Sequence, residues 1–213
     1  MSLLENVILY LKEPTIASDF QQIKLKEFVT LLILTLLIVV PFGLLLEWFG
    51  IDQFDHKLME ILEGNKWLVL VLAIVLAPII EEPVFRLHLD RQRSSIWWGL
   101  GLAVLTFSEF WYPIALLMIY LVYLLIRSSD ANPPSQKFVV YTSATLFALI
   151  HLGNYTDFNY GKYYYWVPFL VGIQFFVGLV LSYIRSKYGM WAAIGFHAVY
   201  NAVIGVQIVW FYE

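Results

Sequence analysis

Stretches of mostly apolar residues, most of them long enough to cross a membrane as a helix, follow one another along the chain. A membrane-spanning helix needs about 20 predominantly apolar residues. The chain of 213 residues is 61% hydrophobic and 14% charged, with a mean hydropathy of +0.73, whereas soluble domains carry about 25% charged residues. The sequence therefore predicts an all-α fold, a polytopic transmembrane helix bundle of about seven spans, within a range of roughly six to eight.

The predicted spans divide the chain into a short first segment and one helical domain. Residues 1–26 are predicted to form an N-terminal amphipathic, interfacial segment, and residues 27–213 a single transmembrane domain whose motif-bearing core is 67–205. Apolar residues from Leu3 to Leu11 recur at helical spacing, so this segment either lies on the membrane or packs on the bundle as a solvated helix. The predicted spans are 27–48, 67–86, 96–111, 112–127, 138–153, 165–184 and 189–211.

Clusters of positive charge predict the orientation of the bundle. Cytoplasmic loops of membrane proteins are enriched in lysine and arginine. With seven spans, nearly all the cations that flank the spans fall on one side, which places the N-terminus inside and the C-terminus outside of a bacterial-type cytoplasmic membrane. These cations are Lys24, Lys26, Arg86, Arg91, Arg93, Arg127, Lys137, Arg185 and Lys187.

Three pairs of residues spaced four apart place polar groups inside predicted spans. The pairs are Glu82 with Arg86, Phe147 with His151, and His197 with Asn201. Residues four apart share a helix face, so the sequence predicts an ion pair between the carboxylate and the guanidinium. Glu81, one residue earlier, points about 100° away around the helix. A charged side chain inside a membrane costs roughly 2.5–3.5 kcal/mol on insertion scales, so these groups must have polar surroundings.

Depth along the helices suggests that these polar groups meet. Counted from the flanking cations, Glu81 and His197 lie roughly 15 Å deep and His151 roughly 21 Å deep. Two prolines, Pro78 and Pro83, flank the glutamates and predict a break in that helix, which membrane proteins tolerate beside a cavity. The sequence therefore predicts one hydrated pocket, shared by the two carboxylates, both histidines and Asn201.

Read in chain order, these residues form three motifs, EExxxR at 81–86, FxxxH at 147–151 and HxxxN at 197–201. Together they resemble the CPBP family of intramembrane proteases, which includes the CAAX prenyl endopeptidases and bacteriocin-processing proteins and is also called the Abi family. The resemblance covers residues 67–205. Compared with many relatives, the short spans 96–111 and 112–127, which meet at Trp111-Tyr112-Pro113, form an extra hairpin that is expected to wall the path of the substrate.

The resemblance implies an enzyme, an intramembrane endopeptidase that hydrolyses a peptide bond with glutamate-activated water. Glu81 would be the general base, His151 would help to hold the water, and His197 with Asn201 would stabilise the oxyanion. Glu82, Arg86 and Phe147 would support them. No tightly bound cofactor is expected. If a divalent metal such as zinc is present, its ligands would be Glu81, His151 and His197.

Two other function classes remain open from the sequence. A non-catalytic membrane regulator or immunity protein would keep the same pocket and bind a partner there, and a small transporter would use the glutamate and histidines as a proton relay. The expected partners of an enzyme are a peptide or membrane-protein substrate, with or without a prenyl group, and the lipid bilayer. Nucleic acid is not expected, because the net charge is −3 and nucleic-acid binding requires a basic surface. His56 and His88 are predicted to be surface residues.

Overall fold

A computed structural model describes residues 2–54, 65–107, 110–155 and 158–211. Within these ranges the chain forms helices and no β-strand, which confirms the all-α prediction. His56 lies outside the described residues. The helices are α1 (Leu3–Lys12), α2 (Leu25–Trp48), α3 (Asn65–Asp90), α4 (Arg93–Ala103), α5 (Tyr112–Arg127), α6 (Gln136–Ile150), α7 (Tyr160–Tyr188) and α8 (Met190–Phe211).

Three of the described helices are long and apolar enough to cross a membrane, namely α2, α3 and α7. The apolar helix α5 and the part of α8 from Met190 to Val206 are shorter. The total of seven spans stays a prediction. The predicted span 96–111 is wrong in its extent, because α4 ends at Ala103 and is followed by a 3-10 turn at Val104–Thr106. The Thr106 hydroxyl donates to the Ala103 carbonyl at 2.8 Å and so helps to close this turn.

Helix α7 lies at the centre of the bundle. In the most apolar part of α7, 56% of the residues are buried, against 22% in α2, so α2 faces outward along most of its length. The helix begins at Tyr160, earlier than predicted, because the Asn159 side chain caps it by accepting from the Lys162 N–H at 3.1 Å. Its second half, Gly172–Tyr188, packs along α6 and α8. Two contacts of Arg185 hold the end of this helix. Its Nη2 atom lies 3.7 Å from Oδ2 of Asp90 in α3, and its guanidinium lies over the ring of Phe20 as a cation–π contact.

Two glycines set the approach of helices around α7. At Gly178, a Cβ atom would lie 3.2 Å from the Phe147 ring and 3.4 Å from Ala144, so α6 and α7 pack closely only because this residue has no side chain. Gly189 is the one residue between α7 and α8 and has a φ of 92°, a conformation that favours glycine. This tight reversal brings α8 back along the bundle against α3.

Helix α1 packs on the bundle and also keeps an apolar face exposed. Ser2 and Glu5 form a capping box that begins the helix. Tyr10 is buried, and its hydroxyl hydrogen-bonds with Ser186 of α7 at 2.9 Å. Burial raises the pKa of the Tyr10 phenol, and the hydrogen bond with Ser186 opposes this effect. The phenol is therefore neutral at physiological pH. On the other face, Leu4 remains half exposed; that this face lies on the membrane stays a prediction.

Substitution of Gly178 tests how tightly α6 and α7 are packed. We expect Gly178→Val to lower the free energy of unfolding by about 1–3 kcal/mol, because the new methyl groups would overlap the Phe147 ring. Gly101→Val is the control, since no atom lies within 4 Å of a Cβ built there. Thermal unfolding of both variants in detergent measures the difference. Equal melting temperatures would contradict the close packing at Gly178.

Candidate active site

Helix α3, which carries the two glutamates, is not a regular α-helix. It contains a π-helical turn at Leu72–Leu76, where the Ala77 N–H bonds to the Leu72 carbonyl five residues earlier. It then continues as an α-helix over Ala77–Arg86 and ends in a 3-10 turn at Leu87–Asp90. The motif residues therefore lie on a short regular stretch between two irregular turns, which is the break that the flanking prolines predicted.

Glu82 forms the buried electrostatic centre of the site. Its Oε1 atom accepts from Arg86 Nη1 at 3.0 Å and from His197 Nδ1 at 2.8 Å. Both Glu82 and Arg86 have no exposed surface. This confirms the predicted pairing of the two residues along one helix face, and it adds a link to α8 that spacing within α3 does not reveal.

The Phe147 ring joins the three motif helices. The Arg86 guanidinium carbon lies 3.9 Å from the centre of this ring, a close cation–π contact. The ring also meets His151 edge-on at 4.8 Å and His197 at 6.0 Å between ring centres. The aromatic residue of the second motif is therefore the packing surface between the cation of the first motif and the histidine of the third.

Glu81 has surroundings unlike those of Glu82. Its side chain is 25% exposed, and Oε2 lies 3.9 Å from His197 Nε2. It lines a mostly apolar groove of about 420 Å³. The expected pocket shared by both carboxylates, both histidines and Asn201 is not this groove, because of those five side chains only Glu81 is among the described residues that line it. Glu82 is instead enclosed by Arg86 and His197. The described residues that line the groove are Val69, Leu72, Ala73, Leu76, Ala77, Ile80, Glu81, Leu105, Thr106 and Ile150.

The two histidines use the same ring atom to hold their position. His151 begins the 3-10 turn that continues from α6, and its Nδ1 lies 2.7 Å from the Phe147 carbonyl. A carbonyl and a carboxylate both accept, so Nδ1 of His151 and Nδ1 of His197 must each carry a proton. In both rings this leaves Nε2 as the atom available for chemistry.

Asn201 makes a contact that the sequence does not predict. Its Nδ2 donates to the backbone carbonyl of Ala73 in the π-helical turn at 2.8 Å. One turn further along α8, a Cβ at Gly205 would lie 2.6 Å from the Leu70 side chain. Helix α8 therefore lies close against the irregular part of α3, through Asn201 and Gly205.

His88 is not the surface residue that the sequence predicted. It has no exposed surface, and its ring meets Tyr120 of α5 edge-on at 5.4 Å. The misprediction arises because the loop expected after residue 86 is a further helical turn that continues α3 inward. Arg86 and His88 are both buried as a result.

The three motifs thus converge on one site, and the same stretch of chain matches a known family. Residues 63–203, well over half of the chain, match the family model described as Type II CAAX prenyl endopeptidase Rce1-like. The chain belongs to this family. The match contains all three motifs and agrees with the resemblance over 67–205. Family membership and the apolar helices identify an integral membrane protein of a protease family. No curated protein and no solved structure matches the chain.

Glu81, His151 and His197 are the side chains that would bind a metal if one is present. Over the part of the chain that the structure describes, no three His, Asp or Glu side chains come together in a group suited to a metal ion. Nδ1 of each histidine is bonded, to Glu82 in one case and to the Phe147 carbonyl in the other, and Nε2 of each ring remains. Metal-ligating histidines are commonly held in the same way. The expectation that no cofactor is tightly bound therefore stays a prediction, and no step of the chemistry is assigned to a metal.

The buried ion pair gives a stability prediction. Arg86→Met removes the cation and leaves Glu82 as an uncompensated buried charge, which costs about 3–5 kcal/mol. We expect the double variant Glu82→Gln with Arg86→Met to recover part of this loss, because it removes the charge as well. Thermal unfolding and gel filtration in detergent measure both. A double variant as unstable as the sum of its single variants would show that the pair does not act as one unit.

Proposed function

We propose that the protein is an intramembrane endopeptidase in which Glu81 activates a water molecule for attack on a peptide bond. One observation carries this proposal: of the two adjacent glutamates, Glu82 is enclosed by Arg86 and His197, whereas Glu81 is partly exposed to a groove and lies beside His197 Nε2. Adjacent carboxylates in different surroundings acquire different roles in acid–base catalysis. Membership of a protease family supports the same reaction class.

The reaction needs one base and two hydrogen-bond donors. The Glu81 carboxylate takes a proton from water as the water oxygen attacks the peptide carbonyl carbon, and a tetrahedral intermediate with a negative oxygen forms. The protonated Glu81 then gives that proton to the leaving amine as the carbon–nitrogen bond breaks. Donors aimed at the developing oxyanion lower the barrier. A proton on Nε2 of His197 and the second N–H of Asn201 would supply them.

His151 would orient the water. Because its Nδ1 proton is directed to the Phe147 carbonyl, Nε2 of the neutral ring has a lone pair that accepts a hydrogen bond. A water that donates one hydrogen to this atom and the other to Glu81 would have its oxygen lone pair directed at the substrate. Such positioning of reacting groups is a large part of catalysis.

The substrate we propose is a peptide or membrane protein, with or without a prenyl group, that reaches Glu81 through the apolar groove. The groove runs along α3 to Glu81, and its other wall includes Leu105 and Thr106, which follow α4. The predicted hairpin therefore contributes to the wall of this groove, although α4 is shorter than expected. An apolar groove that ends at one carboxylate suits an extended chain with apolar side chains or a lipid group.

We also propose how the protein sits in the membrane. Residues 27–213 would form the single transmembrane domain, and residues 1–26 would lie at the cytoplasmic interface. The N-terminus would be inside and the C-terminus outside of a bacterial-type cytoplasmic membrane. The cations at the ends of α3 and α7 support this orientation.

The central experiment compares Glu81→Gln with a matched control. We expect Glu81→Gln to lower kcat for cleavage of quenched peptides at least about 100-fold, because the substituted amide cannot accept the proton. Glu47→Gln makes the same change at an exposed position at the end of α2 and should leave kcat unchanged. Cleavage by Glu81→Gln at the wild-type rate would refute the proposed base.

Two further arms of this experiment separate the other interpretations. Full activity after dialysis against a chelator supports chemistry without a tightly bound metal, whereas loss that zinc restores would show that one is needed. Binding of the peptides without any cleavage by the wild type would favour the non-catalytic regulator. Membership of a protease family makes that alternative the weaker one.

A further inference from the structure

The π-helical turn of α3 leaves one backbone carbonyl without a backbone donor. In an α-helix the Ala73 carbonyl accepts from the N–H of residue 77, but the Ala77 N–H bonds to Leu72 instead. In a π-helix the same carbonyl accepts from residue 78. That residue is Pro78, which has no N–H. In the register that the structure adopts, the Ala73 carbonyl therefore has neither of these backbone donors.

Asn201 supplies the missing donor from α8. Its Nδ2 lies 2.8 Å from the Ala73 carbonyl oxygen. A carbonyl without a partner is costly in a membrane protein, so this bond holds the amide firmly. An amide is planar, and once one N–H is fixed the directions of the second N–H and of Oδ1 are fixed as well.

We propose that Pro78 is a positioning residue for the active site: by leaving the Ala73 carbonyl unpaired within α3, it fixes the orientation of the Asn201 amide. Asn201 lies one turn after His197, which contacts both glutamates. The second N–H of a fixed amide is then directed for the reaction without having to be ordered when substrate binds. The catalytic part of this inference rests on the proposed function, whereas the structural coupling between Pro78 and Asn201 does not.

A double-mutant cycle on thermal stability tests the coupling without any substrate. Asn201→Ala should lower the apparent melting temperature in detergent by roughly 2–8 °C, because it leaves a carbonyl unpaired. In a Pro78→Ala background the same change should cost less than half as much. The new N–H at position 78, or the one at position 77 if the helix relaxes to the α register, then takes the carbonyl. An equal cost in both backgrounds overturns the proposal.

Two more variants keep this test decisive. Pro41→Ala removes an exposed proline from α2, and the effect of Asn201→Ala in that background should equal its effect in the wild type. Pro78 is buried, so Pro78→Ala removes side-chain volume from the core. If that variant does not fold, Pro78→Val supplies the same N–H and fills more of the space that the proline ring occupied. A reduced effect in the Pro41→Ala background would show a general loss of helix rigidity and would overturn the specific coupling.

The kinetic arm asks whether the fixed amide serves the reaction. Per molecule of folded enzyme, Pro78→Ala should lower kcat roughly 10-fold with little change in KM, because the Asn201 amide is no longer held. Asn201→Ala should lower kcat little further in that background. An unchanged kcat in Pro78→Ala would show that the bond between Asn201 and the Ala73 carbonyl contributes only to folding, and it would overturn the positioning role. Glu81→Gln tests the proposed function separately, so the two failures are distinguishable.

Discussion

The carboxylate of Glu82 is fully buried, and it belongs to a helix that is apolar enough to span a membrane. The packing at the centre of the bundle depends on how this buried charge is compensated. An isolated carboxylate in such surroundings would be strongly destabilising. Arg86 neutralises it from the same helix, His197 donates to the same oxygen from α8, and Phe147 of α6 covers the arginine. Three helices must therefore meet at one level, with the motif residues facing one another.

The same requirement explains the division of labour between two neighbouring glutamates. A helix turns about 100° for each residue, so a side chain adjacent to one that points into the core points towards its edge. Glu82 takes the core position and is bonded to Arg86 and His197, whereas Glu81 faces the groove and lies 3.9 Å from His197 Nε2. Two carboxylates that are adjacent in sequence thus have different surroundings, because the helix directs them to different sides.

The sequence was sufficient to predict what depends on local geometry. Spacing of four along a helix predicted the Glu82–Arg86 pair, and apolar composition predicted the helical bundle. It did not predict contacts between helices, such as Asn201 with the Ala73 carbonyl, because no local pattern records which carbonyl lacks a donor. It also mistook the turn at Leu87–Asp90 for a loop, since hydropathy falls there although the helix continues and buries His88.

The irregular backbone near the site determines which polar atoms remain for chemistry. Within a membrane, carbonyls freed by a π-turn or a helix end must be satisfied by the protein. Asn201 serves the Ala73 carbonyl, Ser143 donates to the Phe85 carbonyl, and His151 Nδ1 serves the Phe147 carbonyl. Of the two adjacent carboxylates, Glu82 is held by Arg86 and His197, whereas Glu81 faces the groove. The proposed exchange of a proton between Glu81 and a bound water rests on this difference.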